Sequence, residues 1–377
     1  MNLRDRLLVS LATSLSPSQA ACIFHCPFAY FAGKFPTVSG KPIAEVLPTH
    51  SPALFRAAVR RAAALLRAGE PVALPTETVY GLAANALDAR AVAKIFEVKG
   101  RPAHNPIIVH VSSVAMARRC VTEWPAFADR LARAFWPGPL TMVLPRSAAI
   151  PDVVAAGGVT VGVRWPAHPF VQAVIGACDF PLAAPSANLS TNISPTNAQH
   201  VKKGLGDRIR LIVDGGPSQV GIESTVVDLT TTPPRVLRPG VIGVEALLAV
   251  TGELEKAEWA TRHAQPLRSP GSLPRHYAPK ARLLILNWPD ETGLVAQIGD
   301  LGAPLQKTHV IAHTRIPSAA DFGRVSVIPR QAEAFARAIY AELHRCDEEG
   351  AGWIVVEALP DTAEWQAIHD RLHRAAA

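Results

Sequence analysis

Cysteine is scarce, five in 377 residues, at positions 22, 26, 120, 178 and 346. An odd, scattered set closes no disulfide framework, and a chain this long needs no staples, which places the protein in a reducing, cytoplasmic compartment. Cys22, His25 and Cys26 lie together, but no second pair of soft ligands follows at zinc-site spacing, so no metal site is assigned. Aromatic residues make up only 6% of the chain and no RNP-like run occurs. That disfavours a protein that merely binds RNA by stacking bases, although the net charge of +7 leaves weak RNA binding open. Every apolar run is broken by Pro, Gly or a charge before the roughly 20 residues a membrane span requires, so no membrane association is expected. Familiar catalytic signatures are missing too. In "GGPSQVGIEST", Ile222 and Glu223 stand where a Walker loop needs Lys and Ser/Thr. "GLGDRI" lacks the third glycine of a dinucleotide fingerprint, and no G-x-S-x-G elbow exists.

The chain does contain enough apolar residues, 49%, for two cores, the default at this length. Residues 1–50 carry no sustained period and read as a poorly ordered extension. From Pro52 the apolar residues Phe55, Val59, Ala62 and Leu66 recur at helical spacing, and Gly69 suits the stop. Short β-rich runs then alternate with helical patterns: "PVALP", a helix ending at Gly100, "PIIVHV", a helix around Phe127 and Leu131, "LTMVLP", "VTVGVR", "PLAAPS", a helix near 197–204, "LIVDGG", "STVVDL" and "RVLRPG". This interleaving predicts an α/β domain over 51–252 built on a twisted, mixed sheet. The period lapses over 253–280, a linker. Beyond it, strands "ARLLILN", "THVIAHT", "RVSVIP" and "GWIVVEAL" alternate with helices over 281–377, which predicts a smaller Rossmann-like α/β domain.

Polar residues crowd the points where strands meet loops, the usual place for ligands in α/β folds. Thr76 and Thr78 follow the strand ending near Leu74. Lys99 and Arg101, two apart between a helix and a strand, share a side if the chain there is extended, and two such cations call for an anion; as solvated charges they would merely favour the helix terminus. In "VTVGVRWP", Thr160, Gly162 and Arg164 project from one face of an apolar strand, and a buried Arg164 needs a partner. Ser186, Asn188 and Ser194 follow a short strand, and Arg238 ends another. Four cations with neutral donors, and no carboxylate pair or nucleophile, point to positioning and neutralising phosphate, as ATP-using transfer requires.

The stretches "LPTETVYGLAANA", "KGRPAHNPIIVHV", "VGVRWP", "APSANLS" with "SPT", "STVVDL" and "LRPG" occur in the order found in YrdC-like threonylcarbamoyl-AMP synthases, and residues 52 to about 250 resemble that family. "SPGSLPRHYAPK" and the domain after it resemble its longer, two-domain form, although the segment before Arg275, His276 and Tyr277 departs from the family pattern. The resemblance implies a nucleotidyltransferase that makes threonylcarbamoyl-AMP and pyrophosphate from L-threonine, bicarbonate and ATP with Mg2+. Its product would pass to the tRNA threonylcarbamoyl transferase machinery for modification beside the anticodon. By matched motif, Thr78, His110, Arg164 and Ala184 would contact threonine or its carbamate. Lys99 and Arg101 would be catalytic, and Arg101, Asn105, Thr160, Ser186, Asn188, Ser194 and Arg238 would hold the nucleotide. Carbamoyl-adenylate formation on a similar domain is the rival reading.

Overall fold

The computed structural model describes residues 37–38, 41–255, 275–318 and 321–377. The described chain begins with β1 (Thr37–Val38) and β2 (Lys41–Pro42), an antiparallel pair, followed by β3 (Glu45–Pro48). Helix α1 (Pro52–Arg67) comes next, because Ser51 accepts the Leu54 N–H and Pro52 fits the first turn. It buries Ala58, Ala62, Ala63, Leu65 and Leu66. The large domain continues with β4 (Val72–Leu74), β5 (Gly81–Asn85), α2 (Ala89–Lys99), β6 (Val109–His110), α3 (Val114–Arg119), α4 (Ala126–Phe135), β7 (Leu140–Pro145) and β8 (Thr160–Arg164). Then come α5 (Pro169–Cys178), β9 (Leu182–Ala183), α6 (Ala198–Leu205), β10 (Leu211–Asp214), β11 (Thr225–Asp228), β12 (Arg235–Arg238) and α7 (Val244–Thr251).

The strands order as β12-β11-β7-β8-β6-β9-β5-β4-β10-β3 in one mixed sheet. Its parallel pairs β6/β8, β7/β11, β4/β10 and β3/β10 sit among antiparallel ones. After residue 280 come β13 (Arg282–Leu286), α8 (Glu291–Asp300), β14 (Thr308–Ala312), β15 (Arg324–Val327), α9 (Ala332–Glu348), β16 (Trp353–Glu357) and α10 (Gln366–Ala376). These strands form a separate all-parallel sheet, β13-β16-β14-β15, the Rossmann-like arrangement that the alternating pattern predicts. Val79, Ile193 and Ile222 of the large domain share an apolar cluster with Tyr277, Phe335, Ile339 and Tyr340, so a continuous core joins the two sheets. No helix among the described residues is long and apolar enough to cross a membrane.

Three expectations need correction or limitation. Order does not begin at Pro52: β3 pairs in parallel with β10, and Thr49 Oγ1 donates to Asp214 O at 2.9 Å. A four-residue edge strand ended by Pro48 is too short to show a period, and proline is tolerated at such an edge. A chain beginning at Ser51 should therefore be less stable by about 2–4 kcal/mol, because removing β3 strips β10 of its ladder bonds and of apolar packing on that side. Urea unfolding checks this, and an unchanged midpoint would contradict it. Helices α3, α5 and α7 are not anticipated by the periodic pattern; α5 is apolar on most of its surface because it packs on α1 beneath the sheet. Residues 1–36, including Cys22, His25 and Cys26, and residues 256–274 of the linker lie outside the described residues.

Candidate active site

A cavity of about 50 Å³ opens where β5, β6, β8, β9, β11 and β12 converge. Its walls include Thr78, Arg101, His110, Arg164, Ala184 and Ser186, together with Glu223, Ser224, Arg238, His276 and Tyr277. Sequence-spaced groups meet here because the short β6 and β9 bring His110 and Ala184 beside the end of β8, where His110 pairs with Arg164 in register.

Arg164 is 4% exposed, and its required partner comes from the chain itself. Nη2 donates to Glu77 Oε1 at 2.6 Å, Nη1 to Thr78 Oγ1 at 3.0 Å and Nε to Gly138 O at 3.3 Å. Burial raises the affinity of the Glu77 carboxyl for a proton, but the charge and hydrogen bond of Arg164 and backbone donors outweigh it, so the group stays below the usual carboxylate range. Arg164 is thus pinned in a near-neutral pair, with N–H groups beyond these three bonds left for a ligand. His110 beside it is neutral. Burial, then the Arg164 charge, pushes its imidazole down to about 3, and its Nδ1 has no partner.

On the other wall, Gly100 closes α2 in the left-handed region, at φ 59°, and turns the chain so that Arg101 enters the cavity. Arg101 Nε donates to Asn105 O at 3.1 Å, and Nη2 donates to Asn105 Oδ1 and Pro106 O, each at 2.7 Å. Burial lowers the guanidinium to about 10, with Tyr277 opposing the shift and the Arg238 charge adding to it, so Arg101 is still fully charged at neutral pH. Arg238 Nη2 donates to Ser224 O at 2.9 Å and to Ser224 Oγ at 3.1 Å. Burial lowers its proton affinity as well.

The remaining expected residues stand behind this surface. Lys99 does not line the cavity. It is 2% exposed, and its Nζ donates to Ser186 O at 2.6 Å and Asn188 O at 2.5 Å, which fastens the 186–188 loop. Burial, then Arg101, lowers its proton affinity strongly. Asn105 orients Arg101. Asn188 Nδ2 braces its own loop at Leu189 O and Asn192 O, both at 2.8 Å. Ser194 Oγ donates to Glu223 Oε1 at 2.5 Å. Thr160 starts β8 opposite Pro145, four residues from Arg164, and does not reach the cavity.

The sequence gives little warning of Glu77, Glu223 or Ser224. Glu77 hides between two threonines, and Glu223 registers only as the residue that spoils a phosphate loop. His276 and Tyr277, the polar end of the linker, close the cavity. Tyr277 has φ 62°, left-handed backbone that costs an aromatic residue roughly 1–2 kcal/mol, and its buried hydroxyl is unpartnered. Burial, then repulsion from Glu223, pushes that phenol up to about 12. His276 Nδ1 is likewise unpartnered, and burial drives its imidazole down to about 3. The buried neutral His110 and His276 take up protons only on unfolding, so each adds an acid penalty. Stability should fall as pH drops below about 6.5 and continue falling toward pH 3, by up to about 1.4 kcal/mol per pH unit for each group. His110→Gln should flatten that slope in urea titrations; an equal slope would contradict it.

Buried cations, neutral imidazoles and hydroxyls around a strand-end cleft, with no cysteine on its walls, define an α/β site suited to positioning an anionic substrate. The comparisons agree. A Sua5/YciO/YrdC family model, described as Telomere recombination, matches residues 64–240, and the model of the threonylcarbamoyl-AMP synthase C-terminal domain matches residues 242–377. Threonylcarbamoyl-AMP synthase of Pyrococcus abyssi is 40% identical over 325 residues, covering 84% of this chain and 93% of the relative. That of Bacillus subtilis is 40% identical over 320 residues, covering 84% and 92%. A crystal structure of P. abyssi Sua5 complexed with L-threonine superposes with a TM-score of 0.79 at 38% identity, covering 89% of this chain and 97% of that one. The chain belongs to the threonylcarbamoyl-AMP synthase family.

Proposed function

We propose that this cavity joins L-threonine, bicarbonate and ATP into threonylcarbamoyl-AMP, with release of pyrophosphate. The observation that carries the reading is the juxtaposition of a pinned Arg164 with neutral His110 on one wall and Arg101 with Arg238 on the other. Threonine would place its carboxylate at the N–H groups that Arg164 has left and its hydroxyl among Thr78, His110 and the backbone of Ala184. A neutral imidazole beside the substrate does not repel the amine. The amine loses its proton to solvent and attacks bicarbonate, and water leaves. The carbamate oxygen then bonds to the α-phosphorus as the bond to the β-phosphate breaks, and Arg101 and Arg238 offset the charge on the departing pyrophosphate. Lys99 contributes by fixing Ser186 and Asn188.

His276 and Tyr277 line the cavity, and the left-handed backbone at Tyr277 makes this segment the piece that would withdraw to admit ATP. The cavity does not fit a resident metal. Glu223, its acidic lining residue, already serves Ser194, Tyr340 and Arg371, and the described residues include no cluster of three metal-ligating side chains. Mg2+ would arrive on the phosphate oxygens of ATP, where it adds positive charge to the phosphates. The assignment as a nucleotidyltransferase, the cytoplasmic location and transfer of the product to a tRNA-modifying partner belong to the same proposal.

The specificity of the threonine end is testable. Losing the substrate methyl should cost about 1–3 kcal/mol, so serine should be a poor but measurable substrate. 2-Aminobutyrate, which leaves buried polar groups unpaired, should be worse than serine. Comparing kcat/KM for the three amino acids decides this, and equal values would favour simple carbamoyl-adenylate chemistry.

A further inference from the structure

Glu223 is the acidic residue on the cavity wall, and its carboxylate accepts hydrogen bonds from Ser194 and, beyond that, from Tyr340 and Arg371 of the C-terminal domain. Oε2 accepts from Arg371 Nε at 2.9 Å and from Tyr340 Oη at 3.1 Å, while Arg371 Nη2 reaches Glu223 O at 3.3 Å. Arg371, on α10, is 1% exposed, and its Cζ lies 5.5 Å from the Tyr277 ring, so one guanidinium supports two pieces of the wall. Asp370 accepts from Arg371 Nη1 at 2.8 Å and from Arg374 Nε at 2.9 Å, so the two carboxylates and two guanidiniums of the cluster balance in charge. The Glu223–Arg371 pair is therefore neutral as seen from the cavity, so the carboxylate, which also attracts Arg238, draws less on the positive charge that Arg101 and Arg238 bring to the wall.

We propose that Arg371 is a positioning residue that sets the charge of the phosphate-binding wall: by neutralising Glu223 it keeps that carboxylate from cancelling the attraction of Arg101 and Arg238 for polyphosphate. The C-terminal domain thereby acts on nucleotide binding without touching the nucleotide. This rests on the nucleotide reading above, and it predicts effects of opposite sign. Arg371→Met exposes the ligand to an uncompensated anion and should weaken binding of Mg-ATP and of inorganic pyrophosphate about tenfold or more, the scale on which a unit charge acts in a poorly solvated site. Glu223→Gln removes the anion, retains Arg371 and should tighten both severalfold. The double variant should return to within about threefold of the unsubstituted protein, and Arg371→Lys should recover part of the loss, since it restores the charge.

Calorimetric titration of the full chain with Mg-ATP and with pyrophosphate provides the test, with threonine affinity measured alongside, because the Arg164 and His110 side should be unaffected. A merely structural pair would behave differently: both single variants would weaken binding, the double variant would be no better than Arg371→Met, and threonine binding would fall in parallel. That pattern, or equal affinities throughout, would overturn the inference. Should Arg371→Met fail to fold, tighter binding by Glu223→Gln and near-normal binding by the double variant still decide it. Absence of ATP and pyrophosphate binding by the unsubstituted protein would instead remove the nucleotide reading itself, and this inference with it.

Discussion

Replacing Arg164 by Met should destabilise the protein by about 3–5 kcal/mol and abolish threonine-dependent turnover. The stability loss comes from Glu77, which is 6% exposed and would be left as a buried carboxylate with no cation; its Oε2 already lacks a partner. Such a group is costly to keep ionised, so its proton affinity rises and the loss of stability becomes smaller in acid. In the native pair the sign is the ordinary carboxylate one. The Glu77 carboxyl lies below its usual range, so the stability it adds is fully present above the unfolded value and is lost as pH falls through the folded one. Urea unfolding at neutral pH measures the effect. The double variant Glu77→Gln with Arg164→Met should recover much of the stability and none of the turnover. Recovery of turnover would show that Arg164 anchors the fold without meeting the substrate.

The second large effect is expected at Lys99. Its Nζ donates to Ser186 O and Asn188 O, and each charge-assisted bond to a buried carbonyl is worth about 1.5–3 kcal/mol. Lys99→Met should leave those carbonyls unsatisfied, loosen the loop that carries Ser186 to the cavity, and raise the KM for ATP about tenfold or more. Arg101→Ala should also weaken ATP binding, by about 1.5–3 kcal/mol, with a smaller loss of stability, because Arg101 lines the cavity while Lys99 lies behind it. Equal ATP affinity and turnover in the Lys99 variant would contradict a role of either kind.

The sequence makes the strand-end polar groups legible because each lies beside an apolar run whose period can be read. Thr78, Arg101, Arg164, Ser186 and Arg238 reach one cavity, as do His110 and Ala184, to which only the family resemblance points. What a linear pattern cannot reveal is which charges meet. Lys99 and Arg101, two residues apart, look like one phosphate clamp, yet the Gly100 turn sends Arg101 into the cavity and Lys99 against loop carbonyls. Arg164 signals that it needs an anion but not that Glu77 supplies one, because the pair spans 87 positions. Glu223 and Arg371 are farther apart, 148 positions, and lie in different domains, so they meet only once the two sheets pack. Strand β3 and helices α3, α5 and α7 are hidden for a different reason: they are too short, or too apolar on all sides, to display a period.

The most direct test of the account is pyrophosphate release from ATP by the purified chain, with threonine and bicarbonate omitted in turn. The account predicts release only when both are present, together with a product whose mass equals AMP joined to threonine carbamate less one water. Release that proceeds without threonine, or at an equal rate after bicarbonate is removed, would contradict it.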